Sequence, residues 1–363
     1  MVTQSTPGCT TATEDAPALP AAYVSLEPVP GAPFGVAVTA NGRWAFVSLP
    51  QAVGVFRIGT ARLPALVREA QTPGSVSLGA FLSPGDRYLL TANGGSGASV
   101  LSPAKAEDGG RGEVLGELAV PGQAAGGATQ VAVIPDGRYA FVSLEDTDAI
   151  AVFRLPGSGS FGPADYVGSI PTEVAPVGLA VSPDGRWLYS TSEAQGTGNM
   201  IGTLTVISVA RAEQDPAHSI VARTVAGCNP VRVITSANGS VVWVTARASD
   251  ALLAFSAARL LTDPGHALLA DVRVGELPVG LALVRGGSLV VVADSDRFDV
   301  PGARSSLAVV DVADALAGRP ALLGYLPAGG FPREMALEPG GATLLVTNYS
   351  SGQLEAVDVA ALP

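Results

Sequence analysis

Pro176-Val-Gly-Leu-Ala-Val-Ser-Pro-Asp-Gly-Arg-Trp-Leu-Tyr-Ser190 reads as strand, turn, strand. Val177, Leu179 and Val181 alternate with smaller residues, Pro183-Asp184-Gly185 supplies turn chemistry, and Trp187-Leu-Tyr189 resumes a β-compatible run. With Asp184 as marker, the pattern recurs at Asn41, Gly85, Asp136, Asn238, Gly286 and Gly340; the seven markers are spaced by 44, 51, 48, 54, 48 and 54 residues. Such a period, with further apolar strands in each interval, matches one blade of a β-propeller. The expected fold is all-β: seven four-stranded antiparallel blades.

Two domains of structure follow from this spacing. Residues 1–20, rich in Thr, Ala and Pro, read as an N-terminal arm that is flexible or disulfide-tethered, and 21–363 as the propeller. The last repeat holds only three strands, over 333–338, 343–348 and 354–359, so residues 22–28 are expected to complete its blade and close the ring.

Composition narrows the partners. A formal charge of -11 with a single lysine, Lys105, leaves no basic stripe for nucleic acid and nothing to draw the chain to an anionic membrane. No apolar run approaches the ~18–20 residues of a membrane span, and residues 1–6 lack the charged and apolar regions of a signal peptide. The expected partner is a small-molecule substrate, and the expected state a monomer or weak oligomer. Cys9 and Cys228 fit no metal-ligand spacing; they form either a disulfide holding the arm or two free thiols. Asn238-Gly-Ser240 and Asn348-Tyr-Ser350 are N-glycosylation sequons, Asn238 in a turn. A secreted or extracytoplasmic home is expected over a cytoplasmic one.

The repeat resembles that of the YVTN and lactonase-like seven-bladed propellers. It is similar to their Pro-x-Gly-φ-Ala-φ-Ser-Pro-Asp-Gly-Arg-aromatic pattern, φ being apolar, over 176–191, 33–48 and 131–143, and Leu345-Val-Thr-Asn348 is closest to the name-giving tetrapeptide. The resemblance implies the fold over residues ~21–363, with lactone hydrolysis as the family default. His218 and His266 fall between third and fourth strands, on the face away from the channel mouth, which counts against the histidine-bearing phosphogluconolactonase members, a zinc site or a Ser-His-Asp triad.

Function is expected where the connections entering the first strand and leaving the second emerge around the channel. Six residues before each marker the column reads Gly35, Gly79, Gln130, Gly178, Arg232, Gly280 and Glu334, three polar side chains among four glycines. After the second strand come Asn93, Glu145, Glu193, Arg247, Asp294, Asn348 and Tyr349, with Arg333 beside Glu334. A ring of these acids and guanidiniums could hold a carboxylate, polarise a carbonyl and move a proton. Two long loops would roof it: 193–201, and 294–304 with Arg297 and Phe298.

The expectation is a cofactor-independent, metal-free enzyme acting on a small oxygen-rich molecule. Arg232, Arg333, Glu334 and Glu193 take the catalytic roles; Gln130, Arg247, Asp294, Arg297, Phe298, Asn348, Tyr349, Asn93 and Glu145 bind substrate. Two alternatives stay open. One is a non-hydrolytic cyclase or isomerase, for example of Diels–Alder type, that works by orientation alone. The other is a non-catalytic binding or surface propeller, whose mouth would be flat rather than pocketed.

Overall fold

Turn chemistry sets the frame. Asp184 Oδ1 accepts from Ser182 Oγ at 2.6 Å and from Arg186 N at 3.1 Å, while Gly185 takes φ 72°, a left-handed conformation that glycine adopts at little cost. Asn41 and Asn238 make the same bonds ahead of Gly42 and Gly239. In the computed structural model, which describes residues 9, 14–59, 63–73, 76–109, 112–157, 160–196, 200–298 and 304–363, these turns join the two inner strands of each blade.

Seven four-stranded antiparallel sheets form the ring. We label the strands of each blade a to d from the channel outward. In blade 4 they are Val174–Val181, Trp187–Ala194, Ile201–Ser208 and Ile220–Cys228. Blade 7 takes Pro332–Leu337, Thr343–Asn348 and Gln353–Asp358 from the C-terminal end and Val24–Pro28 as its outer strand, in register from Val24 opposite Val357 to Pro28 opposite Gln353. The ring therefore closes by joining the two ends of the chain, as the strand count required. Strands b and c bury both faces: Phe46, Phe141, Val244 and Val291 are inaccessible to solvent. This is why the repeats read as apolar runs rather than alternations.

A recurring hydroxyl on strand b stitches neighbouring blades together. Thr191 Oγ1 donates to Val231 O at 2.9 Å, Thr245 Oγ1 to Val279 O at 2.7 Å and Thr347 Oγ1 to Phe34 O at 2.7 Å. The same oxygens accept from Gly178 N, Arg232 N and Glu334 N, so one buried hydroxyl pins the start of two adjacent a strands. The Thr or Ser of the repeat thereby fixes the backbone that carries the channel side chains.

Short helices capped by Ser102, Ser208 and Ser256 follow strand c on the far face. There His218 and His266 stand exposed, each bonded to the aspartate three residues before it, Asp215 and Asp263. Cys9 and Cys228 are joined in a disulfide. The arm then runs along the outer strand of blade 6, Leu322–Pro327, with Leu19 N donating to Tyr325 O at 2.7 Å and Tyr325 N to Pro17 O at 3.0 Å. Of the arm expected over residues 1–20, residues 1–8 and 10–13 lie outside the described residues. Among the described residues no helix is long and apolar enough to cross a membrane.

Candidate functional site

At the channel, close packing explains the glycine column. A Cβ on Gly79 would lie 2.8 Å from Thr129 O, and one on Gly178 would lie 2.5 Å from Val231 O; at Gly280 it would collide with Arg333 O. Each of these glycines precedes a blade whose equivalent residue is long: Gln130, Arg232 and Glu334. Small and large side chains thus alternate around the waist from Gly79 to Glu334, with a second glycine, Gly35, completing the ring.

The three long side chains converge there. Arg232, 3% exposed, donates through Nε to Glu334 Oε1 at 2.6 Å, with Nη2 2.5 Å from the same oxygen. Gln130 Oε1 accepts from Leu179 N at 2.8 Å. On the turn side of this waist lies a chamber of about 640 Å³ lined by the a strands. On the mouth side is a small pocket of about 60 Å³, lined by Thr129, Glu145, Glu193, Arg232, Arg247, Arg297 and Arg333 with Val177, Val231 and Val279.

Four guanidiniums and two carboxylates line that pocket. Arg247 Nη2 donates to Glu193 Oε2 at 2.9 Å, and Thr129 Oγ1 donates to Glu145 Oε2 at 3.0 Å. Arg333, partly buried, stacks over Phe34 with its guanidinium carbon 3.7 Å from the ring centre, and sits 5.1 Å from the centre of Phe331 and 5.7 Å from that of Tyr349. Its Nε has no hydrogen-bond partner among the described residues. Burial first, and then the neighbouring Arg232, bring its pKa down to about 9, against the pull of Glu334. Arg297 lies over Phe331 at 5.9 Å and over the exposed ring of Phe298 at 5.7 Å.

The residues expected in one ring separate into two registers. Glu145, Glu193, Arg247 and Tyr349 stand nine residues after their markers and reach the mouth. Asn93, Asp294 and Asn348 stand eight after, and the pleat turns them into their own blades. Asn93 donates to Glu117 and accepts from Gly95 N and Gly97 N, shaping its loop. Asn348 Nδ2, the atom a glycan would need, is buried and donates to Glu355 Oε2 at 2.7 Å, whereas Asn238 is exposed in its turn. Asp294 is wholly buried beside Ser306.

Sequence reading missed Thr129, Phe34 and Phe331. Phe331 takes φ 54°, rare for an aromatic residue, in register with Gly127, Ala175, Asn229 and Leu277, all left-handed nine residues before their markers. Only the glycine and asparagine of that column hint at it.

A family model described as "Lactonase, 7-bladed beta-propeller" matches residues 31–300. No curated protein matches the chain. Among solved structures, the chain is similar to Kuenenia stuttgartiensis hydrazine synthase, at TM-score 0.69 and 18% identity over 92% of this chain and 97% of that one. The Cps50 (Swd1) β-propeller domain of Myceliophteria thermophila aligns at TM-score 0.67 and 14% identity, over 92% and 100% of the two chains. At such identities these likenesses show the fold alone.

Proposed function

The chain belongs to the lactonase family of seven-bladed β-propellers, and from that premise we propose a cofactor-independent hydrolase that opens a small lactone at the channel mouth. One observation carries the reading: a partly buried guanidinium, Arg333, caged by three aromatic rings and, among the described residues, without an ion-pair partner, faces a pocket already furnished with paired charges. An unpaired buried cation is costly unless an anion or developing oxyanion completes it.

Of the acids at the mouth, Glu334 and Glu193 are held by Arg232 and Arg247. Their oxygens already accept from those guanidiniums. Glu145, whose carboxylate accepts from the Thr129 hydroxyl and forms no ion pair among the described residues, is better placed to take a proton. A water adds to the lactone carbonyl as Glu145 receives its proton. The oxyanion rests on Arg333 and Arg297, and on collapse the ring C–O bond breaks while the alkoxide regains the proton from Glu145. A pocket of about 60 Å³, about two waters in volume, admits the reacting carbonyl and its water, so the remainder of the substrate faces outward.

Titrating the acid released from a panel of γ- and δ-lactones tests this. Arg333→Met and Glu145→Gln are each expected to lower turnover about 10²-fold. The parent's activity should fade as pH rises through about 9, where Arg333 loses its charge. Hydrolysis of no lactone, or unchanged turnover in both variants, sinks the reading.

A further inference from the structure

Between the turns of blades 4 and 5, on the face opposite the mouth, lies a cavity of about 290 Å³, at the small end of the range for ligand pockets. Asp184, Trp187 and Tyr189 of blade 4 line it together with Asn238, Ala257 and Leu261 of blade 5. Two departures from the repeat meet there. In five blades the residue just after strand c is a large aliphatic one, whose amide donates to the carbonyl two residues past the marker: Ile58 to Arg43, Leu155 to Arg138, Val209 to Arg186, Val312 to Ser288 and Val359 to Ala342. Val209 is packed into the cluster of Ile134, Phe141 and Leu188. In blade 5 the equivalent is Ala257, donating to Ser240 O at 3.0 Å, and the smaller side chain leaves room beside it.

The second departure is a hydroxyl. Five residues past the marker the other six blades carry Phe46, Leu90, Phe141, Trp243, Val291 and Leu345, none more than 1% exposed. Blade 4 carries Tyr189, which is just as buried, lines the cavity, and whose hydroxyl has no hydrogen-bond partner among the described residues. A buried tyrosine ordinarily finds one, as Tyr88 Oη does at 2.8 Å from Pro156 O. Burial first, and then the Asp184 carboxylate, raise the Tyr189 pKa to about 12, so the group stays a hydroxyl that can donate and accept. Asp184 Oδ1 is taken up by Ser182 and Arg186, while Oδ2 accepts from no other described residue. Asn238 Oδ1 is taken up by Ser236 and Ser240, and Nδ2 donates to no other described residue.

We infer that this cavity binds a small neutral polyhydroxyl molecule, a monosaccharide. The phenol, the amide and the carboxylate oxygen offer unused donors and acceptors, and Trp187 and Leu261 offer apolar surface. A sugar answers both, with hydroxyls at its edge and C–H groups on its ring faces. Charge turns ionic ligands away. The Trp187 ring already carries a cation, the Arg186 guanidinium carbon 5.6 Å from its centre, which would repel an ammonium group; Asp184 would repel a carboxylate. The site stands across the wheel from the mouth and is independent of the lactone chemistry proposed there.

Calorimetric titration of the full chain with glucose, galactose and mannose tests the inference, with choline and acetate as charged competitors. Saturable one-to-one binding of at least one sugar is expected, and neither competitor should displace it. Tyr189→Phe, which restores the side chain of Phe46 and Phe141, is expected to weaken binding about tenfold through the loss of one hydrogen bond. Ala257→Val, which supplies the bulk that blade 4 has in Val209, should weaken it at least as much by filling the cavity. The thermal midpoint of Tyr189→Phe should match or exceed the parent's, because the hydroxyl it removes is unbonded; if Ala257→Val fails to fold, that variant decides alone. Binding of none of the three sugars would mean a hydrated groove and overturn the inference. Undiminished binding in either folded variant would put the sugar elsewhere, and displacement by choline or acetate would overturn the neutral class of ligand.

Discussion

The mouth and the rim cleft share one face of the wheel and carry opposite charge. At the mouth, guanidiniums outnumber carboxylates four to two, and two of the four are paired with glutamates: Arg232 with Glu334 and Arg247 with Glu193. In the rim cleft, a cavity of about 1040 Å³ between the N-terminal arm and blade 6, four carboxylates, Glu14, Asp15, Glu276 and Asp296, line the walls with one guanidinium, Arg304. The difference lies in construction. The mouth is built by strand ends that every blade repeats, so each charge has a geometrically equivalent position across the bore to meet. The cleft is built by an arm laid over a single blade, outside the repeat.

The largest effect is expected where the mouth pairing is broken. Arg232→Met should destabilise the fold by about 3–5 kcal/mol, because it strands the partly buried Glu334 carboxylate. Adding Glu334→Leu should recover most of that loss, since an apolar pair of similar volume needs no charge compensation. Denaturant midpoints of the single and double variants measure it. A double variant no more stable than the single would mean that the pair matters for shape rather than for charge.

Buried Glu355 responds to pH in the opposite sense to a paired acid. Burial, against hydrogen bonds from Asn348 and Gly329, raises the Glu355 pKa from 4.5 to about 7. Below pH 4.5 the group is protonated whether folded or unfolded and adds no penalty. As pH rises toward 7 the unfolded chain releases the proton first, so stability falls; above 7 a penalty of up to about 3 kcal/mol is fully present. Glu355→Gln should therefore stabilise the protein at pH 8 and leave it nearly unchanged at pH 4. Parallel pH–stability curves for parent and variant would show that Glu355 does not titrate in this way.

What could be read in advance follows from the same contrast. The seven turns, the closing strand and the Arg232, Glu334, Gln130 waist were legible because period and turn chemistry fix which residues are equivalent. The mouth was legible only to within one residue. Strand b ends in two successive polar positions in several blades, and a pleat sends one to the channel and the next into the blade. Glu145, Glu193 and Arg247 therefore reached the mouth while Asn93, Asp294 and Asn348 did not. The Arg333 cage was hidden because its rings come from three places, Phe34 in blade 1 and Phe331 and Tyr349 in blade 7, at positions where other blades carry no aromatic. The cleft lay beyond sequence reading altogether: the possible Cys9–Cys228 bond could be named, but the path of the arm between blades depends on contacts such as Tyr325 with Glu14, which obey no period.

The smallest effect separates the two regions by sign. Glu193→Gln keeps the shape of the Arg247 contact and removes its charge, at 2.9 Å and with side chains 9% and 17% exposed; a loss of about 1 kcal/mol is expected for a pair so placed. Glu276→Gln at the cleft is expected to move the midpoint the other way. Burial raises the Glu276 pKa, and the repulsion of Asp250 and Asp296 raises it further, so its charge is a liability in the folded state. Urea midpoints at pH 7 with unchanged m-values decide the matter. If both variants lose stability, Glu276 is held by a cation after all and the electrostatic distinction between the two regions fails.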